Sequence, residues 1–143
     1  MKKLLFAVLT VLTFGTASAQ FKVTEKQKTP VRVWAAFGGH QALYYLERSN
    51  GEYYYFMAFN TSNQFDDRLI IHLGDLDTAK VTLHQLEKDL HKEGEIYELT
   101  DDNLEKFSMQ CTAFNQYRIT KRGYAGSAYL TIGQVSKMLA ALE

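Results

Sequence analysis

The chain has 143 residues, with sixteen basic and sixteen acidic side chains and a formal net charge of zero. A balanced charge gives nucleic acid or an anionic membrane no electrostatic handle, so neither is an expected partner. Cys111 is the only cysteine, which rules out an internal disulfide, and one proline with no low-complexity tract marks no internal linker.

The first residues fall into three zones: Lys2-Lys3, an apolar run from Leu4 to Phe14, and Ala17-Ser18-Ala19 as a small-residue cleavage site. The apolar run reaches ~16 Å at about 1.5 Å per residue, roughly half a ~30 Å hydrocarbon core. Residues 1–19 therefore read as a cleavable export signal rather than an anchor, and residues 20–143 as one α+β domain that is periplasmic or secreted. Removing the signal takes Lys2 and Lys3 with it and leaves the acids in slight excess.

Residues 20–29 are a polar lead-in, Val31 to Phe37 a strand, and Gly38-Gly39 a turn. Residues 41–48 and 52–59 are β-prone runs around Ser49-Asn50-Gly51. Asn50-Gly51 suits a two-residue turn with positive φ at both positions. That turn pairs Arg48 with Tyr53, Leu46 with Tyr55, Tyr44 with Met57 and Ala42 with Phe59. The opposite side then carries Glu47 with Tyr54, Tyr45 with Phe56 and Leu43 with Ala58.

Asn63 to Asp67 reads as a loop and Arg68 to Leu73 as a strand. A helix follows, with Leu76, Ala79, Leu83, Leu86 and Leu90 on one stripe, Asp75 or Asp77 as its cap and Gly94 beyond its end. Glu95 to Leu99 is a short strand and Thr100 to Asn103 a turn. Phe107, Met109, Cys111 and Ala113 alternate with polar residues, and the parity continues through Tyr117 and Ile119 as one bent strand or two. Arg122-Gly123 turns, Tyr124 to Leu130 returns, and Thr131 with Gln134 forms a capping box for a last helix bearing Ile132, Val135, Met138, Leu139 and Leu142. The expected fold is an antiparallel, meander-like sheet of about six to seven strands with two amphipathic helices packed on one face.

No motif names an activity or a cofactor. His84, Glu87 and His91 share a helix stripe, but His91 lies about 10 Å from His84 along the axis, too far to share one ion without strain. Asp75, Asp77, Asp101 and Asp102 sit where helix starts and turns favour acids. Cys111 lies mid-strand on the apolar parity, where a thiol is structural rather than nucleophilic. The glycine clusters at 38–39 and 123–126 lack the spacing of a phosphate loop.

The unusual feature is tyrosine: five of the nine lie between residues 44 and 55. Tyrosine offers an apolar body with a polar tip, suited to a protein or glycan surface. The expected function is a non-catalytic binding or interaction module, inhibitor or immunity-type modules included. Its partner is a protein or glycan of the cell envelope, met through Tyr45, Tyr54 and Phe56. The alternatives are a small hydrolase or metal-dependent enzyme assembled from residues such as His40, His72 and Asp75, and a self-associating envelope component.

Overall fold

The computed structural model describes residues 28–61, 68–88 and 92–143. The segment expected to be an export signal, most of the expected polar lead-in, the expected loop at 63–67, Leu90 and His91 lie outside the described residues. The elements are β1 (Val31–Ala35), a 3₁₀ turn (Phe37–Gly39), β2 (Gln41–Glu47), β3 (Tyr53–Phe59), β4 (Leu69–Gly74), α1 (Leu76–Lys88), β5 (Ile96–Thr100), β6 (Lys106–Thr112), β7 (Gln116–Lys121), β8 (Ala128–Thr131) and α2 (Ile132–Ala140).

The fold is α+β, but the single sheet is not what forms. The strands make two four-stranded antiparallel sheets, β1-β2-β3-β4 and β5-β6-β7-β8, each an uninterrupted meander followed at once by a helix. The sheets stay separate because a turn closes the edge of β4. The His72 N–H donates to Asp101 Oδ2 at 3.0 Å, and the His72 carbonyl accepts from the Asp102 N–H at 3.0 Å. Those are the backbone groups a fifth strand would need.

Helix α1 packs on β3 and β4, α2 packs on β8 and β1, and the two helices pack on each other. Ala79, Leu83 and Leu86 of the α1 stripe are fully buried, and so are Val135 and Met138 of α2. They join one contiguous core with Leu43, Met57, Phe59 and Ile71 of the first sheet and Phe107, Met109, Tyr117 and Ile119 of the second. Both helix starts are capped as their residue types require. Asp75 Oδ1 accepts from the Thr78 N–H at 2.8 Å, and Thr131 and Gln134 exchange hydrogen bonds as a capping box. Gly94 is a positive-φ residue of the turn leading into β5, and residues 89–91 between it and α1 lie outside the described ones. Residues 113–115 form a tight turn, so the run from Phe107 to Lys121 is two paired strands, with Cys111 facing Tyr117 and Met109 facing Ile119.

The β2–β3 register departs from expectation by one residue. Gln41 pairs with Phe59, Leu43 with Met57, Tyr45 with Tyr55 and Glu47 with Tyr53. The cause is the turn. The Gly51 N–H donates to the Arg48 carbonyl and the Arg48 N–H to the Glu52 carbonyl, so the loop holds Ser49, Asn50 and Gly51, not two residues. Gly51 alone takes positive φ, at 83°, while the Asn50 carboxamide oxygen accepts from the Glu52 N–H. This is a three-residue loop closed by a glycine bulge, which Ser-Asn-Gly satisfies as well as Asn-Gly satisfies the shorter turn. Because side chains alternate with period two, the extra residue turns β2 over relative to β3.

Candidate functional site

In the first sheet Leu43, Tyr45, Tyr55, Met57, Phe59, Leu69, Ile71 and Leu73 face the helices and the core. Tyr44, Leu46, Tyr54, Phe56, Ala58, Ile70 and His72 face the other way. The expected strip of Tyr45, Tyr54 and Phe56 is therefore not one surface. Tyr45 packs inward against Tyr53 and Tyr55, with ring centroids 4.9 and 6.0 Å away, and Tyr44 takes its place beside Tyr54 and Phe56. The parity read for β3 holds; that for β2 is reversed by the longer turn.

This outer face is an interlocked aromatic layer. The Tyr44 and Phe56 rings stack across the β2–β3 pair at 5.4 Å with an interplanar angle of 14°. The His72 ring lies 5.8 Å from Tyr54 and 6.2 Å from Phe56. The Arg48 guanidinium sits over the Tyr54 ring at 4.2 Å, a cation–π placement. The Arg68 guanidinium donates to the Tyr44 hydroxyl at 3.4 Å, the two side chains meeting above β3, where Ala58 is buried beneath. Arg32 pairs with Tyr44 from β1 and so shares its side. Three arginines thus frame the aromatic layer.

At one end the face meets the second sheet. The Tyr54 hydroxyl donates to Asn103 Oδ1 at 3.4 Å, and burial, with the Asp102 carboxylate beside it, pushes its pKa up to about 12 against a smaller opposing effect of Arg48. The buried Asp101 carboxylate accepts three backbone N–H bonds, from His72, Asn103 and Glu105. A cavity of about 210 Å³ lies between β4, α1 and β5, with His72, Asp101, Asp102 and three threonines on its wall. Asp101 is fully committed to the backbone there. Asp102 approaches Gly74 closely enough that a Cβ on the glycine would stand 3.2 Å from Asp102 Oδ1.

The structure does not gather the residues of the expected alternative enzyme site. The His40 ring meets Asn60 at the start of β2, whereas His72 is level with Phe56, four residues and about 13 Å along the sheet. Asp75 is occupied capping α1. His84 pairs with Glu87 at 3.8 Å on the α1 surface, and no group of three His, Cys, Asp or Glu among the described residues is placed to hold a metal. Cys111 is buried, and burial followed by the charge of Glu93 raises its pKa.

The second sheet supplies an internal comparison. Its outward β6–β7 pairs are Ser108 with Thr120, Gln110 with Arg118 and Thr112 with Gln116, flanked by Ile96 and Glu98 of β5 and Tyr129 of β8, a mainly polar surface in which the exposed Ile96 and Tyr129 stand apart. Elsewhere Phe37, Leu104 and Phe114 are exposed on separate turns and Val81 on α1. Among the described residues no helix is long and apolar enough to cross a membrane. Reading from sequence missed Tyr44, Arg32, Arg48 and Arg68. The signal for them was the three-residue reading of Ser49-Asn50-Gly51, which would have placed Tyr44 beside Tyr54 and Phe56. No family model, no curated protein and no solved structure matches the chain.

Proposed function

We propose that the protein is an exported, non-catalytic binding module that engages a macromolecular partner of the cell envelope through the outer face of its first sheet. One observation carries this reading: the outer face of the first sheet gathers the Tyr44, Phe56, Tyr54 and His72 rings and three arginines into one contiguous layer, whereas that of the second sheet scatters Ile96 and Tyr129 among Ser, Thr and Gln. Hydration alone is served by the Ser, Thr and Gln pairs of the second sheet. The first instead concentrates Tyr44, Leu46, Tyr54, Phe56 and three arginines, the residue types that dominate protein recognition surfaces. The balanced overall charge gives nucleic acid no general electrostatic attraction, which favours a protein or glycan partner.

The test is capture from the protein's own cell envelope by the immobilised full chain. Tyr44→Ser with Phe56→Ser abolishes retention of the captured partner, while Gln110→Ala with Thr120→Ala on the second sheet leaves it intact. Circular dichroism and urea unfolding establish that both variants are folded. Equal retention by the two variants overturns the proposal.

A further inference from the structure

We infer that the partner presents an acidic protein segment to this face, its carboxylates held by Arg32, Arg48 and Arg68; the inference rests on reading the face as a binding surface. The arginines lie on one side of one sheet by three independent observations: Arg32 is in register with Tyr44, Arg68 is bonded to the Tyr44 hydroxyl, and Arg48 covers Tyr54. Among the described residues none of the three has a carboxylate partner, whereas Lys28, Lys92, Lys106 and Lys121 each form an ion pair. Among the described residues Lys80, Lys88 and Lys137 on the helices also lack an ion pair, so what distinguishes this face is that three such cations gather around one aromatic layer.

The ring geometry favours a carboxylate-bearing peptide over a sugar. Stacking on a sugar needs a bare ring face. Here one face of Tyr44 and one of Phe56 are taken by each other and one face of Tyr54 by Arg48, which leaves less open ring surface for a sugar. What the surface offers is guanidinium forks on an apolar bed. A guanidinium carries five N–H donors in a planar fork that matches a carboxylate bidentately. Arg68 spends one nitrogen on Tyr44, and Arg48 rests on Tyr54, so both are partly oriented before binding and lose less freedom on contact.

Among the described residues the charge is uneven along the face. Glu52 is turned to Asn50, and Asp101 and Asp102 lie near Tyr54, so the Arg48 end is partly balanced. The Arg32–Arg68 end, around Tyr44, is where the first carboxylate docks.

The experiment uses the ¹⁵N-labelled full chain and three probes: a synthetic glutamate-rich peptide, the same peptide with glutamine for every glutamate, and polygalacturonate. The glutamate peptide shifts the Arg32, Arg48 and Arg68 side-chain Nε–H signals and the β2–β4 amides. It binds at least about tenfold more tightly than the glutamine peptide and weakens steeply with salt. Arg32→Gln with Arg68→Gln removes at least about tenfold of that affinity without altering the thermal midpoint. Equal binding of the glutamine peptide, or tighter binding of polygalacturonate at the same signals, overturns the acidic-peptide inference and leaves the binding face standing. Silence of these signals with all three probes also overturns it. Retention of the envelope partner by the Tyr44→Ser/Phe56→Ser variant is the separate result that removes the binding face itself.

Discussion

The Arg48 guanidinium lies 4.2 Å from the centroid of the Tyr54 ring, and the hydroxyl of that ring reaches Asn103 on the turn between β5 and β6. One tyrosine therefore links the candidate binding face to the second sheet. Its surroundings also hold its proton tightly, and Tyr117, buried with its hydroxyl donating to the Leu86 carbonyl, has a pKa likewise pushed up to about 12 by burial. In an unfolded chain both phenols ionise near pH 10. Between those values the folded state binds more protons than the unfolded state, so stability is present below pH 10 and lost as pH rises toward 12. Urea unfolding across that window is expected to show a falling midpoint. Tyr54→Phe and Tyr117→Phe should each flatten the fall; an unchanged slope in both contradicts the assignment.

Asp101 holds the two sheets in their relative position. Its carboxylate takes an N–H bond from His72 on β4 and two more from its own turn. Asp101→Ala leaves those donors buried without a partner and is expected to cost about 3 kcal/mol, since charge-assisted bonds are worth roughly 1.5–3 kcal/mol each and water recovers part of the loss. Asp101→Asn keeps one acceptor and should cost less. Equal stability of wild type and Asp101→Ala in urea denaturation would refute this role.

A nearby glycine makes the same junction testable from the other side. Gly74 has φ of 89°, and an added Cβ would crowd Asp102 Oδ1 at 3.2 Å. Gly51 has a similar φ of 83° but open space around it. Gly51→Ala is expected to lose about 1 kcal/mol from backbone strain alone. Gly74→Ala should lose distinctly more, about 2–3 kcal/mol, because the carboxylate must also move. Urea midpoints in the reverse order would show that Asp102 yields freely.

The His72 Nδ1 atom is buried with no hydrogen-bond partner among the described residues, while its ring rests against Tyr54 and Phe56. An unmade hydrogen bond at a buried polar atom costs about 1–3 kcal/mol, and an apolar ring of similar shape avoids it. His72→Phe should raise stability by about 1 kcal/mol, seen as a thermal midpoint a few degrees higher. A lower midpoint would mean that the imidazole contributes something phenylalanine does not supply.

Periodicity and capping chemistry made much of the fold legible. The stripe of Ala79, Leu83 and Leu86, the alternation from Phe107 through Ile119 and the Thr131–Gln134 box all stand where local residue pattern puts them. The division into two sheets was not legible, because it depends on a turn in which Asp101 reaches back twenty-nine positions to His72. Long-range closure of an edge leaves no local mark beyond Asp101 and Asp102, which any turn would explain. At the candidate face, Tyr54 and Phe56 were legible from β3 alone. Tyr45 was misplaced because its side depends on the length of a turn, and Ser49-Asn50-Gly51 fits two lengths.

That ambiguity can be converted into an experiment. Deleting Ser49 joins Arg48 directly to Asn50-Gly51-Glu52, and a two-residue Asn-Gly turn then closes with Arg48 still opposite Glu52, where the three-residue loop already holds it. The shorter turn therefore leaves Leu43 opposite Met57 and Tyr45 opposite Tyr55, the register that Val31 and Trp34 of β1 also require through their pairing with Tyr45 and Leu43. Because one favoured hairpin turn replaces another and the core is untouched, the deletion is expected to change stability by no more than about 1 kcal/mol, with amide cross-peaks still linking Leu43 to Met57. Cross-peaks linking Tyr44 to Met57, or a loss of several kcal/mol, would show that Ser49 does more than lengthen the loop.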